Sequence, residues 1–273
     1  MGVLNVTPDS FSDGGRYLET DRAVERALEM LAQGADLIDL GAESTRPGGG
    51  VYGEGARNVP PTEELDRLLP VLEKLRPETQ APLSVDTRKG AVARAALDAG
   101  ADLVNDVSCL GDPELGRVVA ETGCPLILMH SRGELATMQK DIRFDELLPE
   151  IARDLARGLD RAEALGVDRE RVIVDPGIGF GKTAEQNFQI LARLDELTAL
   201  GRPVMVGASR KSFLSTVTGA APADRLAGSL AAVAWAVQHR AALVRVHDVL
   251  ETVHFLKVDE TIAQAVLEGG SAP

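Results

Sequence analysis

Residues 89–106 read KGAVARAALDAGADLVND, and they contain a helix, a joint and a strand in one short segment. From Lys89 to Ala99 the apolar side chains recur at helical spacing, and a glycine then ends the helix. The joint Gly100-Ala101-Asp102 leads directly into an apolar run, and Gly34-Ala35-Asp36 does the same after the helical segment Arg22 to Gln33. This recurrence predicts a repeated helix-to-strand unit with parallel strands and right-handed crossovers.

Eight short apolar runs lie along the whole chain, and each is followed at its end by a polar or charged residue. The pairs are Leu4 with Asn5, Leu40 with Glu43 and Ser44, Val85 with Asp86, Val104 with Asn105, Met129 with His130, Val174 with Asp175, Val206 with Ser209, and Val244 with Arg245 and His247. In a (β/α)₈ barrel the C-terminal strand ends meet at one mouth, where active sites are built. We therefore predict an α/β fold, a single (β/α)₈ TIM barrel.

Size and charge restrict the function classes. A chain of 273 residues that is 44% hydrophobic suits one barrel, so we predict one domain over residues 1–273. The formal charge of −13 disfavours nucleic acid and anionic membrane surfaces as partners, and an anionic substrate needs a local basic cluster. Because the sequence shows neither a membrane-spanning apolar stretch nor a leader pattern, we expect a cytoplasmic location. Cys109 and Cys124 are expected to be buried reduced thiols.

Three Pro- and Gly-rich stretches each follow a predicted strand, so each is a candidate active-site loop. They cover residues 7–16, 46–61 and 175–181. The longest predicted helix runs from Phe144 to Leu165. The first strand, Met1 to Asn5, lacks the usual N-terminal lead-in, and we expect residues upstream of Met1 to be missing or Met1 to be an internal start.

Two carboxylates and an amide end three different predicted strands, at Asp86, Asn105 and Asp175. This combination suits a flat heterocycle that carries ring N–H and amino donors. A single aspartate in such a place commonly forms a salt bridge or caps the strand end. Three of these groups on one mouth favour ligand binding.

A cationic group follows the last two predicted strands. Lys211, Arg245 and His247 lie where barrels often bind phosphate, and Ser209 to Ser212 resembles the start of a helix, whose free N–H groups attract anions. A lone surface cation is usually only solvated. Two cations and a histidine gathered in an acidic chain predict anion binding.

The run Gly179-Phe180-Gly181-Lys182-Thr183 is not a nucleotide-binding P-loop, because the position that requires the first glycine holds Pro176. Its glycines more plausibly let the backbone approach a ligand, with Phe180 as an apolar wall. His130 also follows a strand, and a structural role and a functional role are equally consistent with its position.

Further motifs occur in a fixed order on successive units. They are Asn5-Val6-Thr7-Pro8-Asp9-Ser10-Phe11-Ser12-Asp13-Gly14-Gly15, Glu43-Ser44-Thr45-Arg46-Pro47-Gly48, Ser84-Val85-Asp86-Thr87, Asn105-Asp106, Asp175-Pro176-Gly177-Ile178-Gly179-Phe180-Gly181-Lys182, Ser209-Arg210-Lys211 and Arg245-Val246-His247-Asp248. The set closely resembles the dihydropteroate synthases of the folate pathway. The likeness extends from Met1 to about Leu256.

This resemblance implies a reaction and a role for each residue. Dihydropteroate synthases condense 6-hydroxymethyl-7,8-dihydropterin diphosphate with 4-aminobenzoate to 7,8-dihydropteroate and diphosphate, with Mg²⁺ as cofactor, and a homodimer is expected. The implied pterin residues are Asp86, Asn105, Met129, Asp175 and Lys211, and the implied diphosphate residues are Arg46, Arg245 and His247. The implied 4-aminobenzoate residues are Phe11, Thr45, Pro47, Phe180, Lys211 and Ser212, and Asn5 is implied for Mg²⁺. In the family, residues upstream of the first strand form a strand or hairpin that caps the barrel bottom, and we expect these residues to be among those missing upstream of Met1.

If the negative charge of the leaving diphosphate is neutralised, its departure requires little assistance from the attacking nucleophile. We therefore expect a cation-like (SN1-type) transition state. Lys211, Arg245, His247 and Mg²⁺ would stabilise the diphosphate, while Asp13 and Asp175 would face the developing cation. The glycines in the first two loops imply that these loops close and exclude water. The predicted catalytic residues are therefore Asp13, Asp175, Lys211, Arg245 and His247.

Two other functions are compatible with parts of the pattern. A barrel of the methyltetrahydrofolate methyltransferase type shares the Asp, Asn and Asp pattern, but it needs no diphosphate site, so Ser209 to Lys211 and Arg245 to His247 disfavour it. A catalytically silent pterin or folate binder is disfavoured by the intact loop motifs at Asn5 to Gly15 and Thr45 to Gly48.

Overall fold

The computed structural model describes residues 1–6, 15–43, 59–132 and 142–269, in which strands and helices alternate. The strands are β1 (Gly2–Asn5), β2 (Ile38–Gly41), β3 (Leu83–Asp86), β4 (Leu103–Asp106), β5 (Leu126–Met129), β6 (Val172–Asp175), β7 (Met205–Val206) and β8 (Leu243–Val244). The helices are α1 (Gly15–Ala32), α2 (Pro61–Leu75), α3 (Gly90–Asp98), α4 (Pro113–Thr122), α5 (Leu147–Ala164), α6 (Ala184–Ala192), α7 (Ser215–Thr218), α8 (Leu226–Gln238) and α9 (Val249–Gly269).

All paired strands run parallel, and together they form a closed ring. Strands β1 to β6 make one sheet in chain order, and β7 and β8 make a two-stranded ribbon. A parallel bridge between Val174 and Val204 joins β6 to the ribbon, and a bridge between Gly2 and Val246 joins the ribbon to β1. The second junction also contains the bond from the Val3 N–H to the Val246 carbonyl, at 3.0 Å. The predicted (β/α)₈ barrel is confirmed.

Side chains alternate between the two faces of each strand, and this alternation separates two cores. One large cluster contains Ile38, Leu40, Val85 and Val104, and it includes the apolar faces of the helices. A second, smaller cluster consists of Met1, Leu103, Ile127 and Met205, with Leu37, Ile173 and Leu243 packed against it. These residues come from seven strands or their N-terminal approaches, so they fill the lower interior of the barrel.

The inward-facing positions above this apolar layer are polar. Two residues beyond Leu103 comes Asn105, two beyond Ile173 comes Asp175, and two beyond Leu243 comes Arg245. On β3 the inward pair is Ser84 and Asp86. The strand period therefore places the chemistry-bearing side chains inside the upper barrel.

The helical segment predicted over Arg22 to Gln33 is α1, which ends one residue earlier but begins seven residues before the predicted start. The helix predicted over Lys89 to Ala99 is α3, within one residue at each end, whereas α5 begins three residues after the predicted start at Phe144. β1 has four residues, as do β2 to β6, and Met1 packs in the lower interior. Both cysteines are free; Cys109 is buried, but Cys124 is half-buried.

Within the ranges that the structure describes, no helix combines the length and the apolar character needed to cross a bilayer.

Candidate active site

The predicted pterin residues are gathered at the C-terminal ends of neighbouring strands. Asp86 and Asn105 are register partners on β3 and β4, and Met129 and Asp175 are register partners on β5 and β6. All four side chains are buried, with exposed fractions of 8% or less. Because their strands surround one mouth, these groups face a common volume.

A buried carboxylate that the sequence analysis did not select, Asp39, connects two of the predicted groups. Its Oδ2 accepts hydrogen bonds from Arg245 Nε at 2.6 Å and from Asn105 Nδ2 at 3.0 Å. Its side chain is fully buried. Its sequence signal is a charged residue inside the apolar run Leu37 to Leu40, at an inward position of β2.

Arg245 is held between two carboxylates. Besides Asp39, it donates from Nη2 to Asp86 Oδ2 at 2.9 Å. Although burial opposes its charge, Asp39 and Asp86 raise the pKa of Arg245 above its ordinary value. Burial raises the pKa of Asp86 to about 7, and the positive charge of Arg245 opposes this shift. The predicted diphosphate arginine is therefore also a structural neighbour of the predicted pterin carboxylate.

Lys211 contacts the loop that follows β6. Its Nζ donates to the Ile178 carbonyl and lies 4.5 Å from the centre of the Phe180 ring. Desolvation in the barrel mouth lowers the pKa of Lys211 to about 8, against the opposing effect of Asp175. Burial raises the pKa of Asp175, and Lys211 counteracts this shift. The arrangement places a cation beside an acid and an aromatic wall.

Two glycines in this loop are required by close approaches. Gly177 has φ +68°, and a Cβ there would lie 2.2 Å from the His130 carbonyl oxygen. Gly179 has φ +81°, and a Cβ there would lie 2.9 Å from Lys211 Cδ. Left-handed backbone already disfavours a side chain at both positions. The glycines thus let the loop lie directly against the end of β5 and the Lys211 side chain, whereas the approach of this backbone to a ligand stays a prediction.

The segment after β7 is not the start of an α-helix, and that prediction is wrong. Ser209 and Arg210 form a turn, and a 3₁₀ turn over Ser212–Leu214 precedes the four-residue α7. Arg210 has φ +59°, its N–H donates to Ser229 Oγ at 2.9 Å, and its carbonyl accepts from Arg225 Nη1 at 2.9 Å. These tertiary bonds from the α8 region hold the segment in a non-helical conformation.

One of the predicted anion residues, His247, is nevertheless bound to this turn. The His247 N–H donates to Ser209 Oγ at 3.2 Å, and His247 Nδ1 lies 3.2 Å from the same hydroxyl. Arg210, the neighbouring cation, forms an ion pair with Asp248. The structure thus brings His247 to the turn that leads to Lys211.

A buried ionic cluster lies at the base of the second predicted loop. Glu43 accepts from Arg88 Nε and from Lys89 Nζ, both at 3.1 Å, and its Oε1 accepts from the Val59 N–H at 3.0 Å. Lys89 also donates to the fully buried Glu64 at 2.5 Å. Although burial would raise the pKa of Glu43, these hydrogen bonds lower it. Glu43 therefore connects the two ends of the segment 44–58 to β3.

Several predicted residues lie outside the described part of the chain. They are Phe11, Asp13, Thr45, Arg46 and Pro47. Phe180 is half-buried and packs against Met129 and Val107, Ser212 is half-buried at the start of the 3₁₀ turn, and Asn5 is half-buried at the mouth end of β1. Among the residues that are described, no group of three His, Cys, Asp or Glu side chains could hold a metal ion.

The sequence matches one protein family over most of its length. The model of the family "Pterin binding enzyme" matches residues 1–247. The chain belongs to the pterin-binding enzyme family. The predicted family resemblance is confirmed.

Relatives within the pterin-binding family carry a common activity. The chain is 42% identical over 265 residues to dihydropteroate synthase of Escherichia coli strain K12, covering 97% of this chain and 92% of that protein. It is 46% identical over 258 residues to a probable bifunctional folylpolyglutamate synthase/dihydropteroate synthase of Haloferax volcanii, covering 94% of this chain but only 30% of that protein.

Solved structures agree with these relatives. Dihydropteroate synthase of Xanthomonas albilineans with 4-aminobenzoic acid superposes with a TM-score of 0.87 at 45% identity, covering 100% of this chain and 93% of that chain. The X. albilineans enzyme is also known in complex with 7,8-dihydropteroate. The predicted transferase activity, dihydropteroate synthesis, is confirmed.

Proposed function

We propose that the barrel mouth holds 6-hydroxymethyl-7,8-dihydropterin diphosphate with its ring against Asp86, Asn105 and Asp175. The observation that carries this assignment is the gathering of three buried polar side chains at the ends of β3, β4 and β6, beside the cation Lys211. Asn105 Oδ1 is buried and has no hydrogen-bond partner in the described part of the chain. A ring N–H or amino donor would satisfy it, because an unpaired buried acceptor is costly. Met129 lies beside these groups, where it would contact the ring.

The diphosphate would lie toward β7 and β8. Lys211, Arg245 and His247 supply positive charge and N–H donors there, and Arg46 is assigned to the same group or to the first loop. Arg245 would serve both ends of the substrate, because its guanidinium already binds Asp86. The planar guanidinium suits such bridging better than an ammonium group does.

The second substrate is proposed to be 4-aminobenzoate. The X. albilineans relative binds 4-aminobenzoic acid. In this chain the pocket would be made by Phe180, Lys211 and Ser212, together with Phe11, Thr45 and Pro47 outside the described residues. Phe180 stands next to Met129 and Lys211, so its ring would form one wall of the 4-aminobenzoate pocket beside the pterin site.

Catalysis then follows from charge placement. Lys211, Arg245 and His247 stabilise the departing diphosphate, while Asp175 and Asp13 face the positive charge that develops on the pterin methylene. The carbon–oxygen bond to the diphosphate breaks, the aniline nitrogen attacks that carbon from the Phe180 side, and the proton that the nitrogen loses passes to the released diphosphate or to water. This mechanism requires no side-chain nucleophile, and closure of the first two loops would exclude water that could capture the cation.

Mg²⁺ fits this site through one protein ligand rather than a cage. Asn5 presents an amide oxygen at the mouth end of β1, and Mg²⁺ commonly keeps several waters while binding substrate phosphates. The described residues hold no three-carboxylate or histidine group that would bind the ion alone. Asn5 would hold Mg²⁺ together with the diphosphate, and the ion would add positive charge to the leaving group.

We also propose that residues 1–273 act as one catalytic domain and that the protein is a homodimer. Large apolar side chains are exposed on each of the last three helices, among them Val217 at 71%, Trp235 at 47% and Val258 at 60%. Large exposed apolar residues commonly mark protein contacts. Light scattering of the purified protein tests the dimer, and a monomer at micromolar concentration would exclude it.

One assay tests the proposed reaction directly. Release of diphosphate from the dihydropterin diphosphate is measured with and without Mg²⁺ and with and without 4-aminobenzoate, and 7,8-dihydropteroate is quantified in parallel. We expect product formation equal to diphosphate release and dependence on Mg²⁺. Methyl transfer from methyltetrahydrofolate in place of condensation would support the methyltransferase alternative, and pterin binding without turnover would support a silent binder.

A further inference from the structure

A buried lysine close to the active site, Lys182, has no role in the reaction described above. It is the last residue of the glycine-rich segment after β6 and is only 3% exposed. Burial lowers its pKa to about 7. Because burying an amine is costly, its hydrogen-bond partners indicate what this position is used for.

Lys182 links the Phe180 backbone to β5. Its Nζ donates to the Phe180 carbonyl at 2.9 Å and lies 3.0 Å from His130 Nδ1. His130 Nε2 lies 3.3 Å from Asp154 Oδ2 on α5, and that oxygen also accepts from Arg132 Nε at 2.6 Å. The four residues Asp154, His130, Lys182 and Phe180 therefore form a continuous hydrogen-bonded chain.

The direction of each bond follows from the chemistry of the partners. Hydrogen bonds from His130 and Arg132 lower the pKa of Asp154, so this carboxylate is ionised and accepts. His130 must then donate from Nε2, which leaves Nδ1 as the acceptor for Lys182. Burial and the neighbouring lysine lower the pKa of His130 to about 4, in agreement with a neutral ring. An amine donates two N–H bonds whether or not it is protonated, so both Lys182 contacts persist.

This hydrogen-bonded chain ends on a glycine-rich segment. Residues 177–181 contain three glycines, each with positive φ. Lys211 binds the Ile178 carbonyl from the mouth side, and Lys182 binds the Phe180 carbonyl from the β5 side. Without Lys182 the peptide that carries the Phe180 ring would lose a fixed anchor.

We propose that Lys182 is a positioning residue that, supported by His130 and Asp154, fixes Phe180 as the wall of the 4-aminobenzoate pocket. The proposal rests on the proposed function, because it assigns Phe180 to that pocket. The charge of Lys182 also lowers the pKa of Asp175, but its hydrogen bonds go to Phe180 and His130 rather than to the pterin carboxylates. Its removal is therefore expected to impair use of 4-aminobenzoate far more than binding of the pterin.

A matched pair of substitutions at His130 separates positioning from simple packing. The side-chain oxygen of asparagine occupies the place of Nδ1 and can accept from Lys182, whereas the side-chain nitrogen of glutamine occupies the place of Nε2 and can donate to Asp154. We expect His130→Asn to keep a KM for 4-aminobenzoate close to that of the unchanged protein. His130→Gln and Lys182→Met should each raise this KM about tenfold, with pterin affinity changed by less than about twofold.

Phe180→Ala is the reference variant. If it leaves the KM for 4-aminobenzoate unchanged, the proposed pocket is wrong, whatever the lysine does. If it raises the KM but Lys182→Met and His130→Gln do not, the positioning role is excluded. Equal impairment by His130→Asn and His130→Gln, or an equal loss of pterin affinity in all variants, would show a general structural role instead. Should Lys182→Met fail to fold, the His130 pair alone decides.

Discussion

Asp39 supports Arg245 from within the barrel: one carboxylate oxygen accepts from Arg245 Nε at 2.6 Å and also from Asn105 Nδ2 at 3.0 Å. Arg245 in turn binds Asp86. Asp39 has no assigned ligand contact. It nevertheless connects the proposed diphosphate residue Arg245 with the proposed pterin residues Asn105 and, through Arg245, Asp86. Asp39 Oδ1 has no partner among the described residues, so the chain retains a buried acceptor below the site.

The first prediction concerns Asp39. Asp39→Ala leaves the Arg245 charge with one carboxylate and frees the Asn105 amide, and loss of one partner of a buried ion pair costs about 3–5 kcal/mol. We expect a lower unfolding temperature and at least about a tenfold loss of pterin affinity. Calorimetry with a pterin that lacks diphosphate, together with thermal unfolding, measures both.

Ser84→Ala is the matched control for Asp39→Ala. Ser84 is the register partner of Asp39 on β3, is equally buried, and its hydroxyl has no partner within the described ranges. Removal of an unpaired buried hydroxyl is expected to be neutral or stabilising. Equal effects of the two substitutions would contradict a specific role for Asp39.

The second prediction is a pH dependence of pterin binding. Because burial raises the pKa of Asp86 to about 7, the free protein takes up a proton there as the pH falls through neutrality. A protonated carboxyl accepts ring donors poorly, so pterin affinity should fall with decreasing pH, by up to about tenfold per pH unit for one linked proton. Titrations across neutral pH measure this slope. Asp86→Asn should remove it, and an unchanged slope in that variant would assign the proton to another group.

The third prediction concerns the anion site at high pH. Since desolvation lowers the pKa of Lys211 to about 8, its positive charge is lost as the pH rises through that value. At neutral pH we expect Lys211→Met to bind inorganic diphosphate about tenfold or more weakly than the unchanged protein does. As the pH rises, the affinity of the unchanged protein should fall, so that the two affinities converge at high pH. Parallel binding curves for both proteins are needed. A constant ratio at all pH values would exclude titration of Lys211.

The fourth prediction concerns backbone approach. Gly177→Ala places a Cβ 2.2 Å from the His130 carbonyl, and a buried backbone atom cannot move aside cheaply. Gly201 has the same φ of +68° with nothing within 4 Å, so Gly201→Ala measures the conformational cost alone. We expect about 1 kcal/mol for Gly201→Ala and several times that for Gly177→Ala. Urea unfolding compares them, and equal losses would mean that the loop can shift away from β5.

Much of the architecture could be predicted because strand periodicity and strand-end chemistry are local. Asp86, Asn105 and Asp175 were identified because each directly ends an apolar run. Asp39 was missed because it lies inside such a run, where only the inward strand period distinguishes it from a core position. Recognition of Leu37, Asp39 and Gly41 as one inward face would have selected it.

Other features depended on tertiary contacts that no local pattern contains. The expected helix start at Ser209 is a turn because Ser229 and Arg225, which lie about a helix length further along the chain, bind the Arg210 backbone. The position of His130 left two roles open, and its buried contacts with Lys182 and Asp154 became visible only in three dimensions. The sequence therefore predicts which residues reach the mouth better than it predicts what holds them there.

The division of the barrel wall into a six-stranded sheet and a two-stranded ribbon has a consequence for motion during turnover. The proposed ring-binding groups Asp86, Asn105 and Asp175 belong to the sheet, while Arg245 and His247 follow β8 of the ribbon. The carbon–oxygen bond that breaks would therefore lie between groups of the sheet and groups of the ribbon. These two parts of the barrel wall are joined at each of their two junctions by one isolated parallel bridge. Because Arg245 of the ribbon binds Asp39 and Asp86 of the sheet, any opening at the β8–β1 junction would have to break these two ion pairs, and amide exchange at Val174 and Val246 reports how often the two junctions open.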